Sequence, residues 1–362
     1  MRDEHEHLIE RERRRGRGAP SNAASRFDRE ERIVSDDGWE SAASLGQFTT
    51  STQIEQARSI ISRNDSPDIS FDQSINPYRG CEHGCIYCYA RPTHAFLGHS
   101  PGIDFETKLY AKTNAAELLE AELARPGYVP KTIALGAVTD PYQPIERTYK
   151  ISRQVLEVLD RCSHPVGIVT KSALVLRDID ILQRLAKRGL VKVALSVTTL
   201  DRRVARVMEP RAATPMRRLD AIRQLSNAGV PTTVMTAPII PGLNDHEIEA
   251  ILTAGREAGA ESASYVLLRL PLELKDLFRE WLGENFPDRA NRVMRLLQSM
   301  HGGVDYRSEF GLRQRGSGPF AELIGQRFRQ SLKRLGLNQR RLAMRTDLFE
   351  PPKKKGDQLM LF

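Results

Sequence analysis

Three of the four cysteines in this 362-residue chain fall within eight consecutive residues. Cys81, Cys85 and Cys88 are separated by three and by two residues, a spacing that lets three thiolates converge on one small centre. Thiolates are soft ligands, which favour iron–sulfur clusters or zinc over hard cations. A disulfide framework is disfavoured, because it needs an even and dispersed set of cysteines. The segment therefore predicts a metal centre.

The number of thiolates decides which chemistry that centre could support. A cubane cluster has four irons, so three cysteines leave one iron open to chelate a cofactor or a substrate. The alternative is a zinc site in which His83 or His94 supplies the fourth ligand. Tyr87, an aromatic residue directly before Cys88, and the surrounding alternation of strands and helices favour the cluster. Cys162 stands alone, and we interpret it as a partly buried small apolar residue.

The elements that must position these cysteines follow from the hydrophobic patterns beyond Phe71. Short β-rich runs predict strands over 70–76, 132–138, 166–170, 191–197, 232–237 and 264–268. Amphipathic stretches between them predict helices over 115–124, 151–162, 179–188, 215–227 and 247–258. Regular alternation implies an α/β fold with a parallel sheet covered by helices. Six units are too few for a closed eight-stranded barrel, so we expect a partial barrel with ligands at the carboxyl ends of its strands.

Composition divides the chain into four regions. Residues 1–65 are polar with few aliphatic side chains, which predicts a flexible arm. The core follows over 66–272, then a helical extension over 273–340 and a disordered tail over 341–362. Residues 311–362 carry 12 Lys and Arg against 4 Asp and Glu. That basic end either steers the protein toward a polyanion or is a solvated surface.

Several classes of protein find no support in the sequence. No apolar run approaches the ~20 residues of a membrane span. The start, MRDEHEHLIERERRR, lacks the apolar stretch of a signal peptide, so a cytoplasmic protein without a membrane partner is predicted. The Walker A, GxSxG and HExxH patterns of NTPases, hydrolases and zinc proteases are absent from the sequence.

The segment CEHGCIYC over 81–88 resembles the signature of the radical S-adenosylmethionine (SAM) superfamily, CxxxCxΦC with an aromatic before the last cysteine. The resemblance covers roughly residues 71–270. It implies a partial (β/α)6 barrel, a [4Fe–4S] cluster held by Cys81, Cys85 and Cys88, and SAM bound to the unique iron. It further implies that Tyr87 lines the cofactor site and that SAM is cleaved reductively to a 5′-deoxyadenosyl radical, which abstracts hydrogen from a substrate.

Within that superfamily the chain resembles the spore photoproduct lyase branch, whose members are often labelled DNA-repair-photolyase-like. Residues 135–146, LGAVTDPYQPIE, are similar to the exit of that branch's second strand. The resemblance implies that Thr139 and Asp140 reach the methionine end of SAM. A carboxylate suits that position, because it lies beside a sulfonium and an ammonium. By the same resemblance, Lys171 binds the SAM carboxylate, with Ser196 as its partner.

One departure from the lyases concerns hydrogen transfer. They carry a cysteine where this chain has Ala137, so the source of a returning hydrogen atom is different here. Tyr89, directly after the last cysteine of the signature, either relays a hydrogen atom or forms an aromatic wall. The chain is closer to a lyase-like family with an N-terminal GRGAxSN element, represented by residues 16–22 and by Arg26 and Phe27.

The last five residues, QLMLF, resemble the pentapeptide that binds the bacterial sliding clamp. In that binding mode Leu359, Leu361 and Phe362 fill a hydrophobic groove, Gln358 makes a hydrogen bond at its edge, and a flexible linker supplies reach. Residues 345–349, RTDLF, are a poorer copy without the Gln.

Together these features predict an enzyme that acts on DNA or on a nucleotide-containing substrate, supplied with electrons by an external donor. A role in DNA repair follows from the lyase resemblance and the clamp-like terminus. Modification of RNA or of a protein side chain is an alternative, as is a non-catalytic iron–sulfur redox sensor.

Overall fold

The protein, described by a computed structural model over residues 9, 11–28, 46–340 and 343–352, is built around a seven-stranded sheet. Its strand order is β10-β9-β8-β7-β6-β3-β2, and a second sheet has the order β1-β5-β4. The strands are β1 (Ser51–Ile54), β2 (Ile61–Arg63), β3 (Gln73–Ile75), β4 (Tyr78–Arg79), β5 (Lys108–Ala111), β6 (Ile133–Leu135), β7 (Val166–Thr170), β8 (Val191–Ser196), β9 (Thr232–Ile239) and β10 (Ser262–Leu267).

Helices cover the larger sheet with their apolar faces. In α4, for example, Ile151, Val155 and Leu159 repeat every four residues and are buried, which leaves the charged face to solvent. The helices are α1 (Asp104–Thr107), α2 (Ala115–Leu123), α3 (Glu146–Tyr149), α4 (Ile151–Arg161), α5 (Ile179–Lys187), α6 (Arg202–Met208), α7 (Pro215–Asn227), α8 (Ile248–Glu257), α9 (Leu274–Asn285), α10 (Pro287–Ser299) and α11 (Gly318–Leu335).

The predicted α/β fold is confirmed. The six strands β3 and β6 to β10 pair in parallel, and β2 adds an antiparallel edge. Each predicted strand overlaps one of these six, and β7 and α7 have the predicted bounds. Within the described ranges β2 and β10 are the two ends of the sheet, so it stays open, as expected for a partial barrel.

Residues 11–28 differ from the expected flexible arm, because they are packed onto the core. Ala19 is fully buried, and the backbone N–H groups of Gly18 and Ala19 donate to the Glu106 carboxylate at 2.9 and 2.8 Å. The Ser21 hydroxyl donates to Glu280 in α9 at 2.6 Å. Farther along the predicted arm, β1 is an edge strand of the smaller sheet and β2 is an edge strand of the larger one.

The arginines that make this segment look polar have partners far away in sequence. Arg14 pairs with Glu284, and Arg26 pairs with Glu273 at 2.9 Å. Composition alone predicted an arm because it contains no information about these distant carboxylates. The segment is therefore part of the folded domain.

The range predicted as a disordered tail is also folded in part. The Arg345 N–H donates to the Gly189 carbonyl at 3.2 Å, and the Glu350 N–H donates to the Cys162 carbonyl at 2.9 Å. The Phe349 ring packs against two aromatic rings at the same place. We call residues 343–352 the C-terminal strap; it lies at the end of the sheet where β7 and β8 begin.

Two further predictions concern the terminal peptide and membrane-spanning helices. The clamp-like peptide over 358–362 lies outside the described residues. As for membranes, the described part of the chain contains no helix long and apolar enough to cross one.

The contact between the N-terminal segment and the loop of cysteines can be tested at Gly18. A Cβ placed there would lie 1.8 Å from the Gly84 carbonyl oxygen, so Gly18→Ala forces the two segments apart. We expect a loss of roughly 1–3 kcal/mol or more in the free energy of unfolding, measured by urea titration. Gly46→Ala is the matched control, because a Cβ there meets nothing within 4 Å. Equal stabilities of the two variants would contradict the packing described.

Candidate active site

The three clustered cysteines lie in one largely buried loop that follows β3 and the short β4. Cys81 and Cys85 are 7% and 8% exposed, and Cys88 is half-buried. Burial raises the pKa of both the Cys81 and Cys85 thiols, and a nearby carboxylate adds to each shift, Asp140 for Cys81 and Glu209 for Cys85. The loop therefore disfavours bare thiolates, so a bound metal would be needed to hold these sulfurs deprotonated.

Backbone contacts from two directions give the loop its shape. The Cys81 N–H donates to the Phe105 carbonyl at 2.9 Å, and the Ile86 N–H donates to the Met208 carbonyl at 3.0 Å. Gly84, between the first two cysteines, has a φ of 69°, where a side chain would be strained. A Cβ at this position would also lie 2.7 Å from the Glu106 carboxylate. Glycine is therefore required at the tightest point of the loop.

A buried ion pair between Arg91 and Glu106 supports the backbone of the cysteine loop. The Arg91 guanidinium and the Glu106 carboxylate are both fully buried and lie 2.5 Å apart. Arg91 also donates from Nε to the Cys85 carbonyl at 2.9 Å and from Nη1 to the Gly102 carbonyl at 2.9 Å. The pair thus connects the N-terminal segment, which also binds Glu106, to the backbone of the central cysteine.

Tyr87 is anchored by a second buried ion pair. Its hydroxyl donates to the Glu209 carboxylate, which pairs in turn with Arg218, and both of these side chains are 1% exposed. The hydroxyls of Tyr87 and Thr198 are 3.3 Å apart. On the other side, the Lys171 ammonium lies 5.6 Å from the centroid of the Tyr87 ring. The structure therefore brings two of the predicted cofactor residues together.

Asp140 links the exits of β6 and β7 to the cysteine loop. Its carboxylate accepts hydrogen bonds from the Tyr142 N–H at 2.9 Å, the Thr170 hydroxyl at 2.7 Å and the Lys171 N–H at 2.7 Å. His83 Nδ1 lies 3.3 Å from the same carboxylate. Burial alone would raise the pKa of Asp140, but His83 and these hydrogen bonds lower it to about 2. The four contacts use the acceptor capacity of the carboxylate.

The other two predicted cofactor residues lie at the same edge of the sheet. Thr139 is buried, and its hydroxyl donates to the Tyr78 carbonyl at 3.0 Å. Ser196, the last residue of β8, is 2% exposed, and its carbonyl accepts a hydrogen bond from Arg218 at 2.9 Å. The exits of β3, β6, β7 and β8 thus present all of the predicted site residues on one side.

The two histidines of the zinc alternative face other groups. His83 faces Asp140, whereas His94 packs against Phe105 and His99, with ring centroids 5.5 and 5.3 Å away. Burial lowers the pKa of His94 to about 4. Among the side chains that the structure describes, no three from His, Cys, Asp and Glu are grouped to hold a single metal ion. A single zinc ion needs ligands converging on one point, whereas three thiolates on a cubane bind different irons. Both histidines thus face groups other than the three thiols, which are soft donors of the kind that iron–sulfur clusters take.

Tyr89 lies on an exposed side of the cysteine loop. Its side chain is 42% exposed, and its hydroxyl donates to the carbonyl of Ala137, the residue at the position of the lyase cysteine. The side chain therefore bridges the cysteine loop and the exit of β6 while part of it remains exposed.

The buried residues that position the site residues were not predicted from the sequence. Arg91, Glu106, Glu209 and Arg218 are charged and buried, and nothing in their local sequence distinguishes them from surface residues. Gln143 was missed as well; it accepts from the Glu82 N–H at 2.8 Å and donates to the Gly80 carbonyl at 3.2 Å.

Comparison with known proteins agrees with this geometry. Residues 75–254 match the model of the radical SAM superfamily. The chain belongs to the radical SAM superfamily, which confirms the predicted family and supports SAM-dependent radical chemistry. An uncharacterised protein of Mycobacterium tuberculosis is 36% identical over 230 residues, which are 63% of this chain and 68% of that protein.

Two further similarities are more distant. The radical SAM Nalpha-GlyT isomerase of Pseudomonas phage M6 is 25% identical over 181 residues, which are 49% of this chain and 35% of that protein. Spore photoproduct lyase complexed with a dinucleoside spore photoproduct superposes with a TM-score of 0.55 and 16% identity, covering 78% of this chain and 79% of that one. At that identity the second likeness establishes a shared fold.

Glu106→Gln tests the buried ion pair below the cysteine loop. The amide leaves the buried Arg91 cation without its counter-charge, and breaking such a pair costs about 3–5 kcal/mol in the free energy of unfolding. Glu55→Gln is the control, because its pair with Arg79 is partly exposed and contributes about 1 kcal/mol or less. Both are measured by urea unfolding, and a Glu106 variant as stable as the Glu55 variant would show that the pair does not support the loop.

Proposed function

We propose that the protein holds a [4Fe–4S] cluster through Cys81, Cys85 and Cys88 and is an enzyme that cleaves SAM reductively. The observation that carries this proposal is the three clustered thiols on one loop, at the carboxyl edge of a parallel sheet, in a radical SAM chain. When bound, the cluster supplies the electron that splits SAM into methionine and a 5′-deoxyadenosyl radical.

Lys171 is the residue best suited to bind the carboxylate of SAM. Its ammonium lies near the Tyr87 ring, and no carboxylate of the described residues lies within 4.0 Å of it. A cation held against an aromatic face, with no acidic partner in that range, attracts a ligand carboxylate strongly in a shielded pocket. The Asp140 carboxylate fixes the backbone of Lys171 and so aims its side chain.

The remaining predicted contacts form the rest of the proposed cofactor pocket. We assign Tyr87 to its wall, since the Glu209 carboxylate holds the ring in place. Thr139 and Ser196 lie at the strand exits on either side and are proposed to contact the methionine portion of SAM. Asp140 is proposed to act near the same end, with its orientation fixed by its four protein contacts.

We propose DNA or another nucleotide as the substrate class. In support, a solved structure with the same fold contains a dinucleoside spore photoproduct. The basic residues of the C-terminal region would attract a polyanion. Because Ala137 replaces the lyase cysteine, the reaction proposed here differs from that of the lyases in its hydrogen donor.

Reconstitution provides the first test. The protein is loaded anaerobically with iron and sulfide and reduced with dithionite in the presence of SAM, and 5′-deoxyadenosine is followed by chromatography. We expect product from the wild type and a loss of at least a hundredfold in Cys85→Ala, because one thiolate ligand is removed. Cys162→Ala is the matched control, since Cys162 is buried at the opposite end of the sheet.

Each outcome has a definite meaning. No 5′-deoxyadenosine from a wild type with a confirmed four-iron cluster would refute the enzyme and favour a redox sensor. A colourless protein with one zinc would refute the cluster itself.

We further propose that the terminal peptide recruits the protein to the sliding clamp, while an external protein donates the electron. Deleting residues 358–362 should weaken binding to the clamp of the same organism by at least tenfold in surface plasmon resonance, because the apolar anchors are removed. Replacing Lys353, Lys354 and Lys355 with Ala is the control for non-specific charge attraction. Undiminished affinity after the deletion would refute this recruitment.

A further inference from the structure

A loop of the C-terminal extension contacts the carboxyl edge of the sheet. Residues 300–317 connect α10 to α11, beyond the range matched to the superfamily. The Leu267 N–H at the end of β10 donates to the Gln314 carbonyl at 2.9 Å, and Arg313 pairs with Asp68 at 2.5 Å. The loop is therefore fixed at the carboxyl edge of the sheet, where the proposed cofactor pocket lies.

Arg269 stands between this loop and the cysteine loop. Its guanidinium carbon lies 4.8 Å from the centroid of the Tyr89 ring and 6.0 Å from that of Tyr306, and Nε donates to the Tyr306 hydroxyl at 3.3 Å. Within the described ranges, no carboxylate lies within 4.0 Å of this guanidinium. Two aromatic rings thus fix the orientation of Arg269, and its charge has no acidic partner in that range.

Two exposed aromatic rings lie in these two loops, Tyr89 beside Arg269 and Phe310 beside Arg313. The side chains of Tyr89 and Phe310 are 42% and 59% exposed. Phe310 is held by Arg313, whose guanidinium lies 4.8 Å from its ring, while the same Arg313 pairs with Asp68. Proteins that bind single-stranded nucleic acids combine basic residues, which contact the backbone, with exposed aromatic rings. Every base can stack on such a ring, because every base has a flat π-face.

We propose that Tyr89, Arg269, Tyr306, Phe310 and Arg313, which we call the aromatic rim, bind one nucleotide unit of a single nucleic-acid strand. Arg269 would bind the phosphodiester, and the exposed rings of Tyr89 and Phe310 would stack on a base. This inference rests on the proposed function and names the residues that recognise its substrate. A single strand or an extruded base is required, because a base stacked in a duplex offers no face to these rings.

Arginine suits this role because of its charge and its shape together. Its guanidinium carbon lies over the Tyr89 ring, and a planar guanidinium in such a position keeps N–H groups able to meet two phosphate oxygens. An acidic peptide would satisfy the charge but would leave the exposed rings without stacking partners. The rim therefore favours a ligand that carries both a phosphate and a flat ring.

The test uses the full chain with its cluster reconstituted and a fluorescein-labelled 12-mer of deoxythymidine, followed by anisotropy at several salt concentrations. We expect Arg269→Gln to weaken binding at least tenfold and to lower the slope of log affinity against log salt by about one. Phe310→Ala should weaken binding about five- to hundredfold through lost stacking. Arg184→Gln on α5, at a side chain 53% exposed, removes the same charge elsewhere and should stay within twofold.

Further arms of the experiment separate competing explanations. Arg269→Lys retains the charge and should keep the salt slope, so it reports on stacking even if Arg269→Gln unfolds. Equal losses of affinity for the 12-mer in Arg269→Gln and Arg184→Gln would overturn the proposal. Displacement of the 12-mer by polyglutamate at an equal concentration of charges would also overturn it. A uridine 12-mer run in parallel shows whether the strand is DNA or RNA, and tight binding of either one supports the rim.

Failure of this inference can be distinguished from failure of the proposed function. Wild-type protein that forms 5′-deoxyadenosine but binds neither 12-mer overturns the rim alone. Wild-type protein that binds a 12-mer through Arg269 but forms no 5′-deoxyadenosine supports the rim and overturns the proposed SAM cleavage.

Discussion

The buried contact between Arg91 and Glu106 is the constraint on which the cysteine loop depends. Two charges removed from water are costly, so such a pair persists only when hydrogen bonds satisfy the remaining donors and acceptors. Here Arg91 also binds the Cys85 carbonyl, and Glu106 also accepts the N–H groups of Gly18 and Ala19. The N-terminal segment, the cysteine loop and the segment that carries Glu106 are therefore held in one arrangement, which fixes the backbone of Cys85.

A second network continues from the loop into the sheet. Asp140 joins the exit of β6 to Lys171 at the exit of β7 and to His83 between the cysteines. Glu209 and Arg218 do the same for Tyr87 and the exit of β8. The side chains that would face a cofactor are thus positioned by other buried residues, an arrangement that keeps a site preorganised before its ligand binds.

The fold and the cysteine centre could be predicted because their signals are local. The apolar run of β7 and the pattern of α7 gave their bounds, and three thiols in eight residues need no distant partner to be noticed. The N-terminal segment was predicted wrongly because its arginines find carboxylates more than 200 residues away, such as Glu273 and Glu284. Buried charged residues such as Glu209 could not be predicted either, because burial depends on residues that are distant in sequence.

The docking of the N-terminal segment has a consequence for how the protein is made. Gly18 leaves the ribosome early, but Ser21 beside it binds Glu280 in α9, which is synthesised more than 250 residues later. At 5–20 residues per second, that interval is roughly 10–50 s. The segment can contact Glu106 early, but it can dock fully only after α9 has emerged to bind Ser21. Synthesis therefore leaves a period in which the N-terminal segment is held at one end only, before its anchor on α9 exists.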